Sequence, residues 1–315
     1  MEKKNLNIIA PVFNEEGNLQ NFFSKLKITI DKINQKYNVK IIFANDGSID
    51  NSFEILQSIK QKVDYVEIIN FTKNFGHQNA LLAGLKEYEA DLYLVMDTDL
   101  QHNPSLIEII LQNFEKSQAE IVQMSKNYTD YEPIFKRTFS KYFYLLFSKF
   151  TKINIDPGSS DFFLITHKVR EELINSNISH NFIRGFIHWT GFKKITINYS
   201  PEKREKGVSN YSYLKLLEFA LTGFYFYTTR LFIFIFIFAA LIMLFCFIYS
   251  IYIIYSYLTG GLSEYAGWST ITILILFFGS ISLLLNSVLL FFLTKIFDYS
   301  SNKPNYIKKS SNQKL

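Results

Sequence analysis

The chain has 315 residues, 48% of them hydrophobic and 17% aromatic, with a formal net charge of +5. That length accommodates one sizeable domain and something more, and a single cysteine, Cys246, excludes an internal disulfide framework or a cysteine-rich metal site. The mild basic excess suits an anionic membrane surface or phosphorylated ligands, and no nucleic-acid partner is expected.

The opening "MEKKNLNIIAPVFNEE" has no long apolar core before a cleavage site, so it does not read as a secretory signal. "LNIIAPV" (6–12) then predicts a buried strand, followed by a helical pattern from about Glu15 to Gln35. "VKIIFA" (39–44) is a second strand, and a helix begins near Asp50. "YVEIINF" (65–71) is a third strand, "GHQNALLAGLKEY" a helix, and "DLYLVM" (91–96) a fourth strand. Asn103-Pro104 opens another helix, with proline near its first turn, and "AEIVQM" (119–124) is a fifth strand. Such alternation predicts an α/β domain with a mainly parallel sheet covered on both faces.

Beyond this domain, "PIFKRTFSKYFYLLFSKF" mixes basic and aromatic residues and reads as an interfacial amphipathic helix. A second interfacial helix is expected over 211–229. Residues 231–263 carry no charge, and neither do residues 265–294. Each run exceeds the roughly 20 apolar residues that cross a hydrocarbon core, so two transmembrane helices are expected. The loop between them has Glu264 and no Lys or Arg, whereas Lys295, Lys303, Lys308, Lys309 and Lys314 follow the second run. The positive-inside rule places the N-terminal domain and the tail in the cytoplasm, on a multi-pass protein of the inner (plasma) membrane.

In parallel sheets ligands bind at the carboxyl ends of the strands, and there the polar clusters fall. "PVFNEE" follows the first strand, "NDGSIDNS" the second and "DTDLQ" the fourth. No glycine-rich dinucleotide fingerprint follows the first strand, and neither GxxxxGKS nor GxxxxGKT occurs. Asp97 and Asp99 flank Thr98, so an extended chain points both carboxylates to one side. Two adjacent carboxylates repel unless a cation lies between them and a ligand. Hard oxygen donors suit Mg²⁺ or Mn²⁺, with Gln101 as a further oxygen ligand. On its own the motif is equally compatible with acids on a surface loop. The five histidines show no zinc spacing, but His77 and His102 lie in motif loops that line the cleft.

"APVFNEEGNL", "NDGSIDNS", "KNFGHQNALLAGL", "DTDLQHNP", "GSSDFFLI", "FIRGFIHWTGF" and "REKGVSNYSYLKLL" occur in this order. Together, over about residues 5 to 228, they resemble the membrane-bound family 2 glycosyltransferases. The polyprenyl-phosphate group is most similar, including dolichol-phosphate mannosyltransferase and bacterial undecaprenyl-phosphate enzymes. The resemblance implies a GT-A-type, Rossmann-like domain with interfacial helices and two C-terminal transmembrane helices. Residues 1–130 would be the nucleotide-sugar core and 131–230 the acceptor side. Residues 231–297 would span the membrane and 298–315 form a basic tail.

The implied reaction moves a hexose from a nucleotide-sugar, UDP favoured, to polyprenyl phosphate with inversion. A surface polysaccharide acceptor is the alternative; an inactive membrane scaffold is the other. Processive synthases usually show QxxRW and more spans, and neither is present. A homo-oligomer is compatible with the resemblance. Pro11, Phe13 and Glu15 would line the nucleotide site, with Asn45 and Asp46 by the base and ribose and Asn45 replacing a common Asp. Asp97 and Asp99 would hold the diphosphate through the metal, beside Thr98, with Gln101 assisting. Arg204 would grip the diphosphate as its loop closes. Asp161 matches the acid usually proposed as catalytic, although Phe163 and Pro201 stand where relatives often have arginines. A lipid monophosphate, with a second pKa of about 6, is largely ionised already. Asp161 is therefore read as an orienting group or weak base, and Lys126, Lys136, Arg137 and Ser140 as candidates for the lipid phosphate.

Overall fold

A computed structural model of the chain describes residues 3–127, 158–176, 182–201, 266–300 and 304–309, with isolated positions at 148–149, 153, 155–156 and between 241 and 259. Seven strands form one sheet: β1 (Lys4–Val12), β2 (Tyr37–Asn45), β3 (Val66–Asn70), β4 (Leu92–Val95), β5 (Ile121–Lys126), β6 (Ser159–Thr166) and β7 (Lys194–Tyr199). Their order is β3-β2-β1-β4-β6-β5-β7. β3, β2, β1 and β4 run parallel, and so do β5 and β7. β6 is antiparallel to both its neighbours, β4 and β5.

The covering helices are α1 (Leu19–Ile33), α2 (Ser52–Lys60), α3 (His77–Glu87), α4 (Leu106–Ser117), α5 (His167–Asn175) and α6 (Ile183–Trp189). From Leu6 to Val12 β1 is buried on both faces, and apart from Asn7 it is apolar there. Leu6, Ile8 and Ala10 face one layer with Phe22, Leu26 and Ile30 of α1 and Ile107 and Ile110 of α4. Ile9 faces the other layer with Ala80, Leu81 and Ala83 of α3 and Val169 of α5. A strand buried on both faces reads as a continuous hydrophobic run.

At Gly84 the α3 backbone packs directly on Ile9 of β1. A Cβ there would lie 2.4 Å from Ile9 Cγ2 and 3.3 Å from Ile9 Cβ. Ile9 is fully buried and β-branched, so it has little room to give. Gly84→Ala is expected to lower stability by about 1–3 kcal/mol, the usual cost of overpacking, read as a lower thermal midpoint of the catalytic domain.

The first helix starts later than its hydrophobic pattern suggests, at Leu19 rather than Glu15. Residues 13–18 are held by the β2–α2 loop instead. Asn14 adopts φ 55°. Its side chain accepts from the Ile49 N–H at 2.9 Å, and its own N–H donates to Ser48 Oγ at 3.0 Å. The N–H groups of Glu15 and Glu16 donate to Ser52 Oγ and Asp50.

The chain separates into two compact units, Met1–Tyr227 with Asn305–Leu315, and Thr228–Pro304. In the second, α7 (Ala266–Ser300) is one continuous helix of 35 residues. Among the residues described with their side chains, no helix is long and apolar enough to cross a membrane. Described apolar side chains of α7, including Ile275, Leu289, Leu290 and Leu293, are exposed. The first charge-free run and both expected interfacial helices lie almost wholly outside the described residues. In the first unit, the C-terminal segment pairs at the carboxyl end of β3. Phe71 bridges Lys308 in antiparallel fashion, the Lys309 N–H donates to Asn70 O at 2.7 Å, and the Thr72 N–H donates to Ile307 O at 3.0 Å.

Candidate active site

β1, β2 and β4 end side by side, and their following loops meet at one edge of the sheet. Past β4 the chain leaves strand geometry and bends, with Leu100 at φ 64°. Thr98 and Leu100 are buried while Asp97 and Asp99 are part-exposed. Thr98 Oγ1 donates to Pro11 O at 3.1 Å, fastening this loop to the end of β1. The Gln101 N–H donates to Asp99 Oδ1 at 3.1 Å, forming a tight turn.

Asp97 is anchored through both its backbone and its carboxylate. Its N–H donates to His102 Nδ1 at 3.1 Å, and its Oδ1 lies 2.9 Å from His77 Nε2. Burial works against charge on Asp97, but the His77 hydrogen bond, with His102 and Lys126 nearby, holds it well below the usual carboxylate range. Burial likewise opposes a charged His77. The hydrogen bond and charge of Asp97, with Asp161 beyond, outweigh it and push the imidazole up to about 9. His102 is fully buried, stacked on Phe162 with centroids 4.9 Å apart. Burial pushes its pKa down. Because Nδ1 accepts from Asp97, Nε2 carries the proton, and that Nε2 has no hydrogen-bond partner among the described residues.

His77 also reaches towards Asp161, with Nδ1 3.9 Å from its Oδ2. Asp161 projects from β6, and two residues that sequence reasoning did not single out hold it. Arg184 of α6 approaches Asp161 Oδ1 with Nε at 3.2 Å and Nη2 at 3.1 Å. Gln78 Nε2 donates to Oδ2 at 3.4 Å, while Gln78 Oε1 accepts from the Ile183 N–H at 3.1 Å. The only sequence signal was that Gln78 and Arg184 lie inside the "KNFGHQN" and "FIRGF" motifs. Phe163, where relatives often carry arginine, is fully buried beneath Asp161 on the same face of β6. The guanidinium beside the acid comes from α6 instead.

Lys126, at the end of β5, donates from Nζ to Gln101 Oε1 at 3.3 Å, so it belongs beside the Asp-Thr-Asp loop. Glu15 accepts from Asn18 Nδ2 at 2.6 Å, and Phe13 is part-exposed in the same β1–α1 loop. Asn45 and Asp46 face inwards. Asn45 Nδ2 donates to Asn70 Oδ1 at 2.8 Å, and its Oδ1 accepts from Ser48 Oγ at 2.6 Å. Asp46 accepts the N–H groups of Phe75 at 2.6 Å and Gly76 at 2.9 Å. Burial raises the Asp46 pKa despite those two bonds. Both residues knit the β2–α2 loop to the β3–α3 loop. Gly47 makes this approach feasible: with φ 66°, its Cβ position is 2.3 Å from the Lys73 backbone carbon. Arg204, Lys136, Arg137 and Ser140 lie outside the described residues.

Among the described residues, no three His, Cys, Asp or Glu side chains gather closely enough to cage a metal. Asp97 and Asp99 on their own would supply only part of a cation's oxygen shell. Oxygen donors of this kind suit Mg²⁺ or Mn²⁺.

A mainly parallel sheet with an Asp-Thr-Asp loop closing a central strand is a GT-A-like α/β fold, the class of the nucleotide-sugar glycosyltransferases. Mannosyl-3-phosphoglycerate synthase from Rubrobacter xylanophilus shares it, with a TM-score of 0.50 at 13% identity over 70% of this chain and 71% of that one. The protein belongs to glycosyl transferase family 2, whose model matches residues 7–174, more than half of the chain. The bactoprenol glucosyl transferase of Shigella phage SfV is 30% identical over 98% of this chain and 99% of its own length. Glycosyltransferase YkcC of Bacillus subtilis (strain 168) is 31% identical over 96% and 93%. The protein is a glycosyltransferase.

Proposed function

We propose that this glycosyltransferase moves a hexose, glucose first among candidates, from UDP to polyprenyl (undecaprenyl) phosphate at the cytoplasmic face of the membrane. The observation that carries the reading is that His77 stands between Asp97, 2.9 Å from its Nε2, and Asp161, 3.9 Å from its Nδ1, joining the Asp-Thr-Asp loop to the β6 acid. It is supported by full-length similarity to a bactoprenol glucosyl transferase. A divalent cation held by Asp97, Asp99 and the donor diphosphate would neutralise charge on the leaving group. Thr98 and Gln101 set the shape of that loop, and Lys126 adds a positive charge beside it. The acceptor phosphate arrives ionised, so Asp161 orients it and the sugar, held by Arg184 and Gln78. With no enzyme nucleophile, direct displacement inverts the anomeric carbon.

Membrane attachment belongs to the same proposal. A charge-free sequence from Ala266 to Thr294 lies within one continuous helix, and exposed Leu and Ile side chains on it favour lipid over water. Membranes carrying the protein, given undecaprenyl phosphate and a panel of labelled nucleotide sugars, are expected to yield labelled lipid most rapidly from UDP-glucose. Label passing only to a glycan acceptor, or to none, overturns the reading.

A further inference from the structure

The C-terminal segment Asn305–Lys309 makes more contacts with the catalytic unit than a solvated basic tail needs. It pairs with Asn70–Thr72 at the carboxyl end of β3, the end strand of the sheet. Tyr306 stacks on Phe71 with centroids 5.0 Å apart and planes 14° from parallel. Phe71 is buried and meets Phe75 edge-on at 5.7 Å. The same segment grips the far end of α3. Tyr306 Oη donates to Glu87 Oε1 at 2.7 Å, and Lys308 Nζ to Glu87 Oε2 at 2.7 Å.

These contacts bracket residues 71–87 at both ends. Between the brackets lie the Phe75 and Gly76 N–H groups bound to Asp46, then His77 bound to Asp97 and Gln78 bound to Asp161. These four links from the β3–α3 segment therefore lie in a stretch whose start and finish the tail holds.

We propose that Asn305–Lys309 is a positioning strap for the donor site: by pairing with β3 and binding Glu87 it fixes the loop that carries the Asp46 and His77 contacts. An unpaired sheet edge and an exposed helix end are places where local opening is cheap. The strap closes both at once. Its consequence for donor binding rests on the proposed function; the ordering of the loop does not.

The test uses full-length protein with three single substitutions. Lys309→Pro removes the N–H that Asn70 accepts. Tyr306→Ala removes the stack and the Glu87 bond, and Tyr306→Phe keeps the stack alone. Amide exchange over residues 71–77 is expected to quicken about tenfold in the first two, and less in Tyr306→Phe. Exchange in β1 and α1 should stay unchanged, which shows that the variants fold. The Kd for UDP with Mn²⁺ should rise roughly three- to tenfold with kcat at saturating donor preserved. Faster exchange confined to the tail, with residues 71–77 unaffected, overturns the strap. If wild-type protein binds no UDP with Mn²⁺, the donor reading falls, and the exchange result still decides whether the strap exists.

Discussion

Asp99→Ala is expected to reduce turnover at least about thousandfold, the scale on which removing charge stabilisation from a transferring group acts. Asp99 is a sharper probe than Asp97. The Asp97 carboxylate also bonds His77, so its loss releases the first residue of α3 as well. Asp99→Ala gives up the Gln101 N–H bond of its own turn, but Thr98 still fastens the loop to Pro11 and His77 keeps its bond to Asp97. Turnover measured against Mn²⁺ concentration should show a saturating dependence in wild type and almost none in the variant. Full activity in Asp99→Ala, or wild-type turnover that survives chelation, would remove the metal from the proposal.

Asp161→Asn preserves shape and removes charge. It should lower kcat by about 10²- to 10³-fold while shifting the donor KM less than about threefold, the pattern of an interaction made only in the transition state. Arg184→Gln should fall in the same direction by about ten- to a hundredfold. It acts through Asp161, which two of its nitrogens approach within 3.2 Å. The double variant should be little worse than Asp161→Asn alone, because residues sharing one interaction are not additive. Steady-state kinetics of the four proteins checks this. A raised donor KM with unchanged kcat in Asp161→Asn would instead place that acid on the donor side.

Much of this arrangement was legible before any coordinates. Five strands announced themselves as apolar runs, and their polar termini marked the ligand edge. β6 and β7 did not. "SSDFFLIT" becomes a strand by inserting antiparallel between β4 and β5, a long-range pairing that local pattern does not encode. The direction of a polar side chain was equally hidden. "NDGS" shows an amide and an acid after β2, yet burial turns Asn45 towards Asn70 and Asp46 towards two backbone N–H groups. The partners of Asp161 lie 23 and 83 positions away on different helices, so only the fold could reveal them. The arginine that relatives often carry where Phe163 stands is an acceptor contact that read as missing or moved, and in the fold Arg184 of α6 stands beside Asp161.

The pairing of the tail at the end of β3 bears on the proposed membrane attachment. The first compact unit contains both the chain before Thr228 and the chain after Pro304, and the rings of Tyr306 and Phe71 are 5.0 Å apart. If residues 228–304 enter a bilayer as proposed, both of their ends must lie on one side of it, which an even number of crossings satisfies and one or three does not.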